Sequence, residues 1–183
     1  MKTTTPVTIR FEATLYMLRG RTILPIPESE SVKLPSRGQV SVTGTLDGQE
    51  FHAVLEPDGR WSHWWQVTDD LRQTAGVHSG DTVQVELTTS DSWPEPVMPP
   101  DVAAALAAAP QKVKDKWQTI TPMARWEWIR WVNATGNTET CAIRIEKTIS
   151  KLNGTHRRPC CFNLAACTVP ELSKSGRLIE VGS

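Results

Sequence analysis

A chain of 183 residues with 20 Lys and Arg against 20 Asp and Glu can bury a core without disulfide staples. It contains no apolar run of eighteen residues, which excludes a spanning helix, and residues Met1 to Glu12 lack the apolar stretch of a signal peptide. A cytoplasmic address is expected, and with it four cysteines that are free thiols or metal ligands, not a disulfide framework.

Charge is unevenly spread. Residues 1–97 hold 8 Lys and Arg against 13 Asp and Glu, a net of −5, and residues 98–183 hold 12 against 7, a net of +5. Such a split predicts two modules with different partners, or modules that attract one another. Eight Trp against one Tyr and three Phe predict that some indoles line a surface or pocket, since Trp joins a large contact area to one polar N–H.

The first half reads as strands. Val7, Ile9 and Phe11 alternate with polar residues, and Ala13, Leu15 and Met17 continue the period of two. Gly20 turns the chain into a short strand from Thr22 to Ile26, whose flanking prolines predict an edge position. Val40, Val42 and Leu46 form the next strand, turned by Asp47-Gly48 into Phe51, Ala53 and Leu55. The turn Pro57-Asp58-Gly59 leads to a strand over Trp61 to Val67, and Val83, Val85 and Leu87 make the last.

The segment from Ile23 through Leu34 and Gly38 to Val40-Ser41-Val42 has a counterpart 43 residues on, from Trp65 through Ala75 and Gly80 to Val83-Gln84-Val85. Each copy reads as strand, short helical turn, glycine turn, strand, and two such units can interlock into a small barrel.

A Ser- and Pro-rich linker over residues 91–98 separates this barrel, residues 1–90, from a helical module over residues 99–154. Helices are predicted over Asp101 to Ala109, with Val102 and Leu106 inward, and over Gln111 to Gln118, with Val113 and Trp117 at i, i+4. Thr121-Pro122 opens a third as N-cap and first-turn proline, with Met123, Trp126, Ile129 and Val132 as its core stripe. Trp128 and Trp131 then share a second face, which is either buried on another side or a platform for a ligand or partner. The last helix runs from Thr138 to Leu152 with Cys141, Ala142, Ile145, Ile149 and Leu152 on one face and Arg144, Lys147 and Lys151 on another. Residues 155–183 form a cysteine-containing tail with little periodicity.

The pattern Phe11-Glu12-Ala13, the paired valine strands and Gly80-Asp81-Thr82-Val83 resemble an N-terminal domain of unknown function found in many bacterial proteins. Pro99-Pro100-Asp101-Val102, Trp117, Thr121-Pro122, Glu139-Thr140, Arg144-Ile145 and Leu152-Asn153-Gly154 are similar to the YdeI/OmpD-associated, bacteriocin-protection module that often follows it. The resemblance spans residues 6–154. It implies an α+β chain, with a double-split β-barrel of the AbrB type followed by an α-helical module. It implies no enzymatic activity and an association with envelope stress and bacteriocin protection. It also implies an arginine after Glu139-Thr140, where this chain has Cys141, so an anion bound there in relatives would lose that contact.

Catalytic signatures are absent from the sequence. There is no G-x-S-x-G, G-x-x-x-x-G-K-[ST], G-x-G-x-x-G or H-E-x-x-H, and His52, His63, His78 and His156 read as ordinary surface or strand histidines. Asp69-Asp70 reads as capping the turn after Val67. No cofactor and no catalytic residue are assigned.

The candidate ligand or partner surface is Trp128, Trp131, Arg144, Lys147 and Lys151, for an unknown protein or small molecule. A second candidate is a thiol or metal site from Cys141, His156, Cys160, Cys161 and Cys167, with Arg157 and Arg158 beside the thiols. Against it stands simple packing of the tail cysteines on the helices. Of Trp61, Trp64 and Trp65, period two sets the second opposite the other two, so at least one indole is open. DNA binding through an AbrB-like barrel is the remaining alternative, disfavoured because the barrel is acidic and phosphate recognition needs positive charge first.

Overall fold

The computed structural model describes residues 4–160 and 163–181, which divide into two compact units. The first comprises residues 1–94, 164–167 and 172–183, and the second residues 95–163 and 168–171.

The first unit is built on β1 (Thr8–Thr14), β2 (Tyr16–Leu18), β3 (Arg21–Pro25), α1 (Glu28–Ser31), β4 (Val40–Leu46), β5 (Gln49–Pro57), β6 (His63–Gln66), α2 (Asp69–Ala75) and β7 (Thr82–Thr89). Every pairing is antiparallel, in the order β1-β7-β4-β5-β6-β3-β2. Only Leu15 separates β1 from β2, yet these are the two ends of that order. One residue advances the chain by about 3.8 Å, so those two strand ends must adjoin and the sheet curls into a half-barrel. Leu15, fully buried, is the bend.

The pairings repeat with a pseudo-two-fold relation. β1 and β2 together correspond to β5, β3 to β6, α1 to α2 and β4 to β7. The β1–β7 ladder then matches β5–β4, and β2–β3 matches β5–β6. Each half lends its first strand to the last strand of the other, so neither closes a core alone.

The inward positions of period two supply that core: Ile9, Leu24, Val42, Leu46, Leu55, Val83, Val85 and Leu87, joined by Trp65 and Val67. Each fully buried aliphatic side chain contributes roughly 1.5–3 kcal/mol. Gly44 lets β7 lie close against β4: a Cβ there would stand 2.0 Å from the Glu86 carbonyl oxygen. Thr68 caps α2 by accepting the Leu71 N–H, with Asp69 and Asp70 in its first turn, and Gly76 ends it in the left-handed region.

Two strand expectations need correcting. β3 is interior, paired to β2 and β6, and the sheet edges are β1 and β2. Pro25 is tolerated because β3 bonds β6 through its even-numbered residues, as in Val67 N–H to Thr22 O and Ile26 N–H to His63 O. The missing N–H of Pro25 therefore faces the other side, where the register of β2 has already ended at Tyr16↔Ile23. The strand expected from Trp61 begins only at His63: Trp64 and Trp65 are both buried, and Trp61, 70% exposed and at positive φ before β6, is the expected open indole.

The tail is not featureless. β8 (Ser173–Lys174) and β9 (Arg177–Leu178) form a tight hairpin through Ser175 and Gly176, both at positive φ. Its residues join the first unit. Leu178 N–H donates to Asp58 O at 2.8 Å, Arg60 reaches Leu178 O at 2.6 Å, and Leu172 and Leu178 are buried. A Cβ on Gly59 would meet Gly176 O at 2.0 Å, so only glycine permits this approach.

The second unit contains α3 (Pro100–Ala108), α4 (Gln111–Thr119), α5 (Pro122–Asn133) and α6 (Thr138–Asn153). Thr121 caps α5 by accepting the Ala124 N–H, and Asn137 caps α6 by accepting the Thr140 N–H. Val102, Leu106, Val113, Trp117, Ile120, Ala124, Trp128, Ile129, Val132, Ile145 and Leu152 make the core. Arg125 fastens it, donating to the carbonyls of Trp117 and Ile120 at the end of α4 and forming a two-bond pair with Glu95. No helix among the described residues is long and apolar enough to cross a membrane.

Candidate functional site

The buried face of α5 is not the expected stripe. Ala124, Trp128 and Val132 lie at i, i+4, i+8 and are almost fully buried with Ile129, whereas Met123 is 36% exposed and Trp126 half-buried. Trp128 is fully buried, and its indole N–H donates to Arg157 O at 2.8 Å. That bond draws the segment after α6 across α5.

Two charged α5 residues are buried with it. Glu127 accepts both Nε, at 2.7 Å, and Nη2 of Arg158, and Arg130 Nε donates to Thr168 Oγ1 at 3.0 Å. The Glu127 hydrogen bond holds the Arg158 guanidinium above its already high usual pKa. Neither burial was visible in the sequence, because the residues that cover them lie some thirty to forty positions away.

Trp131 is the half-exposed aromatic of this face. Its ring meets Trp128 edge-on, with centroids 6.2 Å apart and planes at 73°. The Arg144 guanidinium lies 5.5 Å from its centroid and the Lys151 ammonium 5.8 Å. Spaced i, i+7 on α6, these two cations reach one ring, with Lys147 exposed on the helix between them. Arg144 is held in place by donating Nη1 to Trp131 O at 2.8 Å, and Lys151 donates to Cys160 Sγ at 3.3 Å. Neither cation has a carboxylate partner among the described residues. An aromatic floor with two unneutralised, half-buried cations suits an anionic group, and each cation–ring contact is worth about 0.5–1 kcal/mol.

The sequence-derived surface thus comes together around Trp131, Arg144 and Lys151, with Lys147 beside it and Trp128 beneath. The thiol and imidazole set is scattered. Cys141 is half-buried against the helical core, Cys160 and His156 are exposed, and Cys167 is buried and belongs to the first unit, its N–H bonded to Gly176 O at 2.8 Å. The expectation that the tail cysteines dock on the helices is therefore wrong for Cys167. Cys161 lies outside the described residues. Among the described residues no three His, Cys, Asp or Glu side chains gather as metal ligands.

Two family models match this chain. A domain of unknown function, DUF1905, matches residues 11–87, and the domain described as bacteriocin-protection, YdeI or OmpD-associated matches residues 95–154. The chain carries a DUF1905 domain followed by a YdeI/OmpD-associated domain. The description links that domain to bacteriocin protection. No curated protein matches the chain. Arg144 and Lys151 fall inside the YdeI/OmpD-associated domain, while Arg158 and Cys160 lie beyond the matched residues.

Proposed function

We propose that this protein is a non-enzymatic binding protein of the stress and bacteriocin-protection type, and that its helical domain works by holding an anionic group against Trp131. One observation carries the reading: Arg144 and Lys151 flank a half-exposed indole and have no carboxylate partner among the described residues. The family description supplies the biological direction. Cys141 in place of an arginine does not remove the site, because Arg144 and Lys151 are supplied one and three turns further along α6.

The test combines a challenge and a titration. Cells expressing the protein should survive a bacteriocin better than cells expressing R144Q/K151Q at equal protein level. Heparin should shift the Trp131 indole resonance of the wild type and leave that of R144Q/K151Q in place. Equal survival of the two strains defeats the protective role of this face, and an unmoved Trp131 resonance defeats the anion site.

A further inference from the structure

The hairpin joining β4 and β5 turns through Asp47 and Gly48, both at positive φ, and closes on the pair Leu46↔Gln49. In a two-residue hairpin the closing pair exchanges both backbone hydrogen bonds, and alternate pairs do so thereafter. Gln49, Phe51, Ala53 and Leu55 therefore bond to β4, while Glu50, His52 and Val54 turn their N–H and C=O groups the opposite way. Glu56 has the same parity and is taken up by β6 through Glu56↔Trp64. β6 ends its pairing there. From Glu50 to Val54 the outward edge of β5 has no strand beside it, and no backbone or side-chain partner among the described residues takes the Glu50 or His52 amide.

This open edge borders a groove of about 310 Å³ between β5 and α2. Phe51 and Trp65 form its apolar wall, their rings stacked with centroids 4.2 Å apart and planes at 27°. Glu50 from the strand and Asp70 from the first turn of α2 line it, both exposed and neither ion-paired among the described residues. The half of the sequence that contains it carries a net charge of −5.

We propose that this edge is a strand-addition site for an extended basic segment of a partner protein. The segment would pair with Glu50 and His52, set an apolar side chain on the Phe51–Trp65 wall and place a Lys or Arg between Glu50 and Asp70. Backbone pairing supplies the affinity, and alternate side chains supply the selection. Five residues of edge at about 3.3 Å each accept a segment of about five residues. Basic residues are chosen over acidic ones because the groove carries two carboxylates and no cation among its lining residues.

The probe is a capped peptide alternating Lys and Val, six residues long, added to the full chain and followed by amide NMR and hydrogen exchange. The expected result is chemical-shift change along β5 and α2 and slowed exchange at the Glu50 and His52 amides. Binding should weaken at least tenfold in E50Q/D70N, and be lost when the peptide's pairing amides are N-methylated. A matched Glu/Val peptide should not bind. No shift at millimolar peptide overturns the proposal, as do shifts elsewhere, shifts without protection of the two amides, or equal binding of the acidic peptide. None of these outcomes depends on Trp131, so this proposal and the anion site fail separately.

Discussion

His63 is one of the most completely buried polar side chains, with both ring nitrogens used. A carbonyl can only accept, so Nε2 carries the hydrogen donated to Gly38 O at 2.9 Å, and Nδ1 accepts from the Ser31 hydroxyl at 2.7 Å. The neutral ring is satisfied as it stands. Burial is the main cause that lowers its pKa below the ordinary 6.5, and the Arg37 guanidinium adds to the shift. The unfolded chain then takes a proton at about 6.5, whereas the folded chain does so only at lower pH. The stabilising contribution is complete above 6.5, declines as pH falls towards the folded pKa and levels off below it. Denaturant titrations of the wild type and H63Q should diverge in that window, the wild type losing up to about 1.4 kcal/mol per pH unit more. Parallel pH profiles would show that His63 titrates alike in both states. The residue could not be picked out beforehand: in a strand of period two it reads like His52, and only the approach of α1 and Gly38 makes it interior.

On the scale of elements, the strands were readable because one face of each is core, so Val42, Leu46, Val83, Val85 and Leu87 announce both the strand and its register. The helix caps were equally local, Thr121 before Pro122 above all. The interior of α5 was not readable, because its burial extends beyond one stripe. Glu127 and Arg130 are buried by chain that returns after α6, and a polar residue covered by a distant segment leaves no periodic signal. The Glu127–Arg158 pair accordingly joins elements more than it stabilises a helix. With side-chain exposures of 9% for Glu127 and 53% for Arg158, water screens one partner, and the pair is worth about 1 kcal/mol. R158A should destabilise the second unit by more than that, about 1–3 kcal/mol, because it also strands a buried carboxylate. E127Q/R158A should be no less stable than R158A alone. A double-mutant cycle by thermal unfolding reads the coupling, and a coupling near zero would make the pair incidental.

For the whole molecule, the division into units does not follow the order of the chain. The sequence reads as barrel, linker, helices, tail, yet residues 164–167 and 172–183 return to the first unit while residues 168–171 stay with the second. Two residues per strand are too few to show a period, so the β8–β9 hairpin was invisible until Gly59, Asp58 and Arg60 were seen to receive it. The same contacts make it a structural part of the first unit. Leu172 and Leu178 are 0% and 5% exposed, and truncating a buried leucine to alanine costs about 2–5 kcal/mol. L172A/L178A should therefore lower the stability of the first unit, although both changes lie more than eighty residues beyond β7. Hydrogen exchange should quicken at the β5 and β6 amides, next to the turn that bonds Leu178, and remain unchanged in the middle of α6. Unchanged exchange in β5 and β6 would mean that the hairpin rests on the barrel without supporting it. Quickening in α6 alone would assign the tail to the helices, as the order of the chain suggests.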